Sequence, residues 1–362
     1  MPPADDLAGL TWADRACLDL APGRMIEHPS FPIFHRRQPA QVRWQRRSVP
    51  ALRLAVLSDV VVIGGGMVLE PASGTLMLES FTSSGETTAS ANTLVNALRF
   101  MKAHPRDGAI YPDQHWSPPA RRIEDPVFHL TYLSDINYTH FMLEVLPKLH
   151  YWLLLPEPRP RLLVSRAAAE RLAGLLALYG VGAEQLVVCP TPFERPVAAA
   201  RLYLGAAPML GHAPVLASLQ SADAPPSPGP KRIFVTRRGD KSWFRKLLNE
   251  ESVAEFLAAR GFGVLAMDDL ALAQQVALFR GADCVAGIYG GALFNTIFSA
   301  PGARVLSLTS PDYHRTILDA APMQLRGATV LGESFTTKLD SNNSPFVVDM
   351  EDLRAACDHL GL

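Results

Sequence analysis

Cysteine is scarce in this chain of 362 residues, and the four that occur lie far apart. Cys17, Cys189, Cys284 and Cys357 show no spacing typical of a metal site, so a zinc centre is not expected. A few cysteines scattered in this way are typical of a reducing compartment, which predicts a cytoplasmic protein.

The chain also lacks an excess of charge and a long apolar run. Lys and Arg total 34 against 35 Asp and Glu, so any attraction for an anion must come from a local cluster. No run is long enough to span a bilayer, and the N-terminus "MPPADDLAGLTWADR" has no basic-then-apolar order typical of a secretory signal. With 48% hydrophobic residues, a chain of this length is expected to form two globular domains.

A proline-rich segment, "SADAPPSPGP" at 221–230, divides the chain. Proline and small polar residues at this density favour a semi-stiff connector over a helix or a strand. We therefore predict an N-terminal domain over 1–222, a linker over 223–230 and a C-terminal domain over 231–362. This division leaves open a C-terminal helix that packs back onto the first domain.

The C-terminal part alternates strand-like and helix-like segments with short connections, a pattern typical of a parallel doubly wound sheet. Asn249 is the predicted cap of one helix and Asp268 or Asp269 of the next. The predicted strands lie at 232–237, 263–267, 283–288 and 304–308.

The N-terminal part opens with β-like sequence at 53–80 that contains "VVVIGGG". Gly64, Gly65 and Gly66 are followed by a second β-like run, whereas a dinucleotide-binding fingerprint leads into a helix. A hairpin or meander is therefore predicted. Alternation resumes with a strand at 126–133 and a helix at 137–155, which predicts a second, smaller α/β unit and a ligand cleft between the two units.

In an open parallel sheet, ligands bind beyond the carboxyl ends of the strands. The loops there carry a glycine turn, Tyr289-Gly290-Gly291, and a basic segment. Backbone N–H groups and cations together favour an anion, although a basic loop can also be a solvated turn. The other polar residues of these loops are Arg237, Arg238, Lys241, Arg245, Lys246, Thr309, Ser310 and His314.

The predicted helix from Asn137 is apolar except for His140, Glu144 and Lys148, which at helical spacing form one polar stripe. Pro147 is expected to kink or restart the helix. The stripe is either a solvent-facing edge or a cleft wall on which His140 and Glu144 share a proton. His129 and Tyr132 precede it, and a strand histidine is more often packed than functional.

These stretches together resemble glycosyltransferase family 61. The first block of the resemblance is "NYTHFMLEVLPKL", with the pattern on Asn137, Tyr138, His140, Phe141, Glu144 and Pro147. The second block runs from "FVTRRGDKSWFRKLLNEE" through "GALFNTIFSAPGARVLSL". It matches the family at Arg237, Arg245, Asn249, Glu250, Gln275, Phe279, Ala282, Asp283, Gly287, Gly290, Leu293, Asn295 and Phe298.

The resemblance implies a GT-B architecture, in which two Rossmann-like domains face each other across a cleft, here with a β-rich N-terminal segment. It implies metal-independent, inverting transfer of a sugar from a nucleotide sugar, with UDP as the expected nucleotide and no other cofactor. Because a carboxylate is ordinarily ready to accept a proton, Glu144 is then preferred over His140 as the base. The implied donor-binding residues are Arg237, Arg245, Tyr289, Gly290, Gly291, Asn295 and Thr309. Asn137, Tyr138 and Lys148 are the implied acceptor-binding residues.

The implied acceptor is a glycan or glycoconjugate, for example a glycan on a protein, and bacterial polysaccharide synthesis is the expected setting. Nucleic acid is not an expected partner, and a cytoplasmic location leaves room for peripheral contact with the inner face of the membrane. Two departures favour an alternative. The family commonly has His at the position of Tyr289 and an acid near Ser307, so the chain is either an enzyme with an altered donor or a silent relative that binds a sugar nucleotide or glycan, or scaffolds a partner enzyme.

Overall fold

The computed structural model describes most of the chain beyond its first sixteen residues. The described residues are 17–49, 51–72, 75–77, 80, 104–106, 109–111, 119–132, 137–189, 195–208, 212–237, 245–311, 325–335 and 344–362. Of the residues singled out in the sequence, Arg238, Lys241 and His314 lie outside these ranges.

The described elements number twenty-one strands and eight α-helices. The strands are β1 (Cys17–Ala21), β2 (Arg24–Pro29), β3 (Ile33–Phe34), β4 (Trp44–Val49), β5 (Leu52–Ile63), β6 (Met67–Glu70), β7 (Thr75–Met77), β8 (His104–Arg106), β9 (Ala109–Tyr111), β10 (Arg121–Ile123), β11 (Val127–His129), β12 (Arg161–Val164), β13 (Leu186–Val188), β14 (Val197–Gly205), β15 (Arg232–Thr236), β16 (Gly263–Ala266), β17 (Cys284–Ile288), β18 (Arg304–Thr309), β19 (Arg326–Leu331), β20 (Glu333–Ser334) and β21 (Phe346–Val347). The α-helices are α1 (Tyr138–His140), α2 (Leu149–Leu154), α3 (Arg166–Arg171), α4 (Ala173–Ala177), α5 (Ala213–Gln220), α6 (Glu250–Ala258), α7 (Leu272–Gly281) and α8 (Met350–Leu360).

The chain divides into two compact units. Unit 1 contains residues 1–25 and 48–221, and unit 2 contains residues 26–47 and 222–362. The boundary after Ser221 coincides with the start of the proline-rich segment. That segment is anchored to unit 2, because Arg280 donates hydrogen bonds to the carbonyls of Ala222 and Ala224 at 2.7 Å.

Unit 1 is built on a mixed sheet whose main order is β13-β12-β11-β14-β5-β6-β7. β11 pairs in parallel with β12 and β14, and β12 with β13, as the alternating sequence predicts. β5 runs antiparallel to β14 and continues into the meander of β6 and β7. The glycine run 64–66 is a tight 3-10 turn between β5 and β6, which confirms the hairpin and excludes a dinucleotide-binding loop there.

Unit 2 is a sheet of the order β16-β15-β17-β18-β19-β3, and all of its pairs are parallel. The predicted doubly wound arrangement of this part is confirmed. One assignment is wrong: residues 26–47 do not belong with the N-terminal domain. They belong to unit 2 because Ile33 and Phe34 add the edge strand β3 beside Thr329 and Val330.

The C-terminal helix α8 packs on the sheet of its own unit, against β18, β19 and β3. Asp349 caps its start by accepting hydrogen bonds from the N–H groups of Glu351 and Asp352. Gly361 ends it in the left-handed conformation, with φ 69°, where glycine is favoured. Leu353, Ala356, Cys357 and Leu360 belong to the buried core beneath.

Of the predicted caps of α6 and α7, Asn249 stands at the predicted N-cap position without a capping bond from its side chain, and the choice of Asp268 or Asp269 is wrong. Asn249 precedes α6, but its side chain bonds the backbone of Val348 in both directions, at 2.8 and 3.1 Å, and does not cap the helix. Asp268 and Asp269 lie in a 3-10 turn, and α7 begins instead after Ala271, whose N–H donates to Gln274 Oε1. Every described helix is too short or too polar to cross a membrane.

Candidate active site

The segment predicted as one helix over 137–155 is broken into four parts. Asn137 begins it by accepting a hydrogen bond from the Thr139 N–H, and α1 follows. A π-helical turn at Phe141–Val145 comes next, then a 3-10 turn at Leu146–Lys148 and finally α2. The second residue of the 3-10 turn is Pro147, so the predicted restart at this proline is confirmed. Wide π turns inside helices are frequent at functional sites.

His140 and Glu144 are brought together by this π turn. His140 Nδ1 lies 2.6 Å from Glu144 Oε2, and the His140 ring stacks on Tyr132 with centroids 5.8 Å apart. The His140 side chain is 41% exposed and that of Glu144 is 14% exposed. The hydrogen bond to Glu144 raises the pKa of His140 above its usual value, although partial burial opposes the shift.

The geometry gives His140 and Glu144 different abilities to accept a further proton. The Nδ1–H of His140 donates to the carboxylate, so Nε2 of the neutral ring keeps its lone pair, and Nε2 has no hydrogen-bond partner among the described residues. The carboxylate is the more buried group and already accepts one hydrogen bond. A histidine held and charge-stabilised by a carboxylate is an arrangement suited to accepting a proton.

Lys148 does not lie on a stripe with His140 and Glu144, contrary to the prediction. The π turn and the following 3-10 turn change the rotation per residue, so the spacing of four no longer returns to one face. The Lys148 side chain is fully buried and its ammonium donates to the Thr131 carbonyl at 3.0 Å. An acceptor-binding role by direct contact is therefore not supported for Lys148.

His129 lies at the centre of the same buried cluster and is packed, as expected for a strand histidine. Its Nε2–H donates to the Gly66 carbonyl at 2.5 Å, and the Lys148 ammonium lies 3.5 Å from Nδ1. Burial lowers the pKa of His129 to about 3, and the nearby ammonium acts in the same direction. A Cβ at Gly66, whose φ is +86°, would overlap Thr131, so glycine is required where the meander meets β11.

The second group of predicted residues lies in unit 2, at the carboxyl ends of β15 and β17. Arg237 follows β15, and its guanidinium packs so closely on Gly290 that a Cβ there would overlap Nη2. Glu250 Oε1 accepts a hydrogen bond from the Arg237 backbone N–H at 3.3 Å. Gly291 begins a 3-10 helix that ends at Phe298, where an α-helix is predicted. A cation beside the first N–H groups of a helical turn suits an anion.

Comparison with known families decides the class of the protein. Residues 138–306 match the model of the family described as Glycosyltransferase 61. The chain carries a glycosyltransferase 61 domain. The family resemblance is thereby confirmed, and glycosyl transfer is the class of activity. His140, Glu144, Arg237 and Gly290 all lie inside the matched range.

Among solved structures, the chain is similar to the bacterial iron-containing dodecameric glycosyltransferase TibC from enterotoxigenic E. coli H10407. The two share 13% sequence identity over 92% of this chain and 89% of that chain, with a TM-score of 0.30. We base no conclusion on a likeness of this size. Comparison with curated proteins gives no match.

In unit 2, several predicted donor-binding side chains are buried. Asn295 is fully buried and donates to Gln275 Oε1 at 3.0 Å, so it ties the glycine turn to α7. Tyr289 is 3% exposed with its ring edge-on to Phe294, and Thr309 is 2% exposed. This hydrogen bond holds Asn295 to α7, and its expected direct contact with a donor stays a prediction.

Arg245 and Ser307 also lie in unit 2. Arg245 is half-buried and adopts φ 51°, a conformation that side-chain-bearing residues rarely take and that costs energy. Ser307 lies in β18 beside Gly287 and Thr329, and its buried hydroxyl has no hydrogen-bond partner among the described residues. Asn137 and Tyr138 lie at the exposed and half-buried start of the π-turn segment.

Proposed function

We propose that the chain is an inverting, metal-independent glycosyltransferase that moves a sugar from a UDP-sugar to a glycan or protein-linked acceptor in bacterial polysaccharide synthesis. The proposal includes the GT-B architecture that the family resemblance implies. The observation that carries it is the His140–Glu144 pair, because inverting transfer needs a base to deprotonate the acceptor hydroxyl.

In this mechanism His140 is the base and Glu144 positions it, which reverses the preference drawn from the sequence. The acceptor hydroxyl transfers its proton to His140 Nε2 while its oxygen forms a bond to the anomeric carbon. The bond from that carbon to the diphosphate oxygen breaks, and the diphosphate leaves with the electron pair. Glu144 stabilises the imidazolium that forms, as the carboxylate of a catalytic triad does.

The diphosphate is proposed to bind Arg237, Arg245 and the N–H groups at Gly290 and Gly291. A planar guanidinium can hold two oxygens of a diphosphate at once. The Arg237 guanidinium lies close to the Gly290 backbone, which supports one anion position shared by this side chain and the glycine turn. Charge stabilisation of the departing diphosphate is then supplied by cations, which is the basis for proposing that no metal is needed.

Thermal-shift screening tests the donor half of the proposal without knowledge of the acceptor. UDP-, GDP-, CMP- and TDP-sugars are compared, and a ligand at a hundred times its Kd should stabilise the fold by about 2.7 kcal/mol. Arg245→Ala is expected to cost about 1.5–3 kcal/mol of UDP-sugar affinity in calorimetry, because a charge-assisted contact is lost. Arg354→Ala, an exposed arginine on α8, is the matched control.

A rise in melting temperature with UDP-sugars that Arg245→Ala reduces and Arg354→Ala keeps would support this donor site. Equal affinity of all three proteins would refute the placement of the diphosphate. Stabilisation by a different nucleotide sugar alone would refute UDP and leave the site in place.

A silent relative that binds a sugar nucleotide or glycan without transfer, or scaffolds a partner enzyme, is the second candidate. It is favoured by the burial of Tyr289 and Ser307, each 3% exposed, at positions where the resemblance leads us to expect a histidine and an acid. Incubation with the bound donor and a mixed glycan acceptor separates the two. Nucleotide release that depends on acceptor and disappears in His140→Ala supports the enzyme, whereas binding without release supports the silent relative.

A further inference from the structure

The ring of His140 has a second contact besides the carboxylate of Glu144. Tyr132, which follows β11, stacks on this ring with centroids 5.8 Å apart and an angle of 28° between the ring planes. Tyr132 is half-buried and lies past the carboxyl end of β11, a strand that pairs in parallel with both of its neighbours. Ligands bind at this end of parallel strands, so the stack belongs to the candidate site of unit 1.

The backbone that carries Tyr132 is held in place just before the stack. The Leu130 N–H donates to a β12 carbonyl at 2.9 Å, and the Thr131 carbonyl accepts a hydrogen bond from the buried Lys148 ammonium at 3.0 Å. The Thr131 side chain packs so closely on Gly66 that a Cβ there would overlap it. Removing a lysine from water is costly, and here its hydrogen bond fixes the point from which Tyr132 projects.

Lys148 also belongs to the broken helical segment that carries His140. It ends the 3-10 turn that follows the π turn, and its side chain reaches back to the end of β11. One hydrogen bond therefore connects the two parts of the chain whose rings stack. The ring of His140 is held on its face by Tyr132 and at Nδ1 by Glu144.

These two contacts matter because a neutral histidine exists as two tautomers. The tautomer that donates from Nδ1–H to Glu144 keeps the lone pair on Nε2, which is the atom that accepts the proton in the proposed mechanism. A ring that turned away from Glu144 would lose the hydrogen bond that selects this tautomer. An aromatic ring stacked on His140 opposes such a rotation, because aromatic pairs at this separation are attractive.

We propose that Tyr132 is a positioning residue that holds the ring of His140 against Glu144 and so keeps His140 in the Nδ1–H tautomer. The inference rests on the proposed function, because it gives Tyr132 a task in the transfer reaction, but the position of the ring is measurable without any substrate. Tyr132 acts through the face of its ring and not through its hydroxyl, so phenylalanine should replace it.

Nitrogen NMR of the imidazole tests the position of the ring in the full-length protein, at a pH where His140 is neutral. The His140 signals are assigned by their loss in His140→Asn, and in the wild type we expect the proton on Nδ1. Tyr132→Leu and Tyr132→Met keep an apolar side chain but remove the aromatic ring. Both should add the Nε2–H tautomer and shift the ring protons of His140. Tyr132→Phe should keep the wild-type spectrum, as should the matched control Tyr203→Leu, which removes a half-buried tyrosine that packs on Arg201.

Transfer kinetics test the task in the reaction. Tyr132→Leu should lower kcat about two- to tenfold with KM for the donor unchanged, because a stacked pair is lost and the donor site is intact. Tyr132→Phe should retain wild-type kcat, and in the His140→Ala background Tyr132→Leu should add little.

Three results would overturn the proposal: an unchanged tautomer in both Tyr132→Leu and Tyr132→Met, loss of activity in Tyr132→Phe, or a normal kcat despite a mixture of tautomers. Absence of transfer by the wild-type protein would instead refute the proposed function and the task in transfer with it. A changed tautomer in Tyr132→Leu would in that case still show that Tyr132 positions the ring.

Discussion

Replacing Glu144 by Gln tests the negative charge beside His140, because it removes that charge and leaves the shape of the side chain nearly unchanged. The introduced amide has nearly the same shape, and its carbonyl can still accept from Nδ1–H, but it cannot stabilise an imidazolium. Since the hydrogen bond to Glu144 raises the pKa of His140, we expect His140 to titrate at lower pH in the Glu144→Gln variant. The Cε1 proton of His140, assigned by its loss in His140→Asn, reports this in NMR without any substrate.

The same variant has a kinetic consequence of predictable size. A charge-assisted hydrogen bond contributes about 1.5–3 kcal/mol, so loss of imidazolium stabilisation in the transition state should lower kcat roughly 10- to 150-fold. Loss of the base itself in His140→Ala should cost about 10²- to 10⁴-fold. In a double variant the Glu144 change should add little, because Glu144 acts through His140.

The assay measures the rate of sugar transfer from the donor identified by thermal shift, over a range of pH. His140 must be neutral to accept a proton, so activity should rise as pH passes its raised pKa, and this rise should move to lower pH in Glu144→Gln. If Glu144 were the base, His140→Ala would retain most activity and Glu144→Gln would lose it. That outcome would refute the assignment of His140.

The remaining predictions concern the glycine turn, the metal and acid stability. Gly290→Ala should weaken nucleotide binding as Arg237→Ala does, because the added Cβ would displace the Arg237 guanidinium. The backbone itself tolerates alanine there, since φ of Gly290 is 165°. Calorimetry compares these variants with the control Gly174→Ala, whose Cβ would meet nothing within 4 Å. Transfer should survive EDTA, and activity that is lost in EDTA and restored by manganese would contradict the metal-independent proposal. Burial lowers the pKa of His129 from 6.5 to about 3, so the unfolded state binds the extra proton in that window. The free energy of unfolding should therefore fall as pH drops below 6.5, by up to about 1.4 kcal/mol per pH unit, and urea titrations should find a smaller fall in His129→Gln.

The parallel sheets were predictable because their signals are local. Short apolar runs at 232–237 and 304–308, with glycine or acidic boundaries, specify strands and helices without reference to distant residues. Residues 26–47 could not be assigned in the same way. The pairing of β3 with β19 joins positions almost 300 residues apart, and nothing in the sequence near Ile33 indicates that partner.

The candidate site shows where periodicity stops being informative. A spacing of four between His140 and Glu144 survives the π turn and still yields a contact of 2.6 Å. One turn later the same spacing places Lys148 in the interior, because the π turn and the 3-10 turn change the direction in which successive side chains point. Pro147 signals that a break occurs, but not which face follows it. Buried Lys148 contacts the carbonyl of Thr131 and the ring of His129. His129 in turn is held by the carbonyl of Gly66, so contacts between distant parts of the chain specify this part of the site. The family pattern therefore predicts the contact between His140 and Glu144, which precede Pro147. It does not predict the buried position of Lys148, which follows the proline and acts through packing.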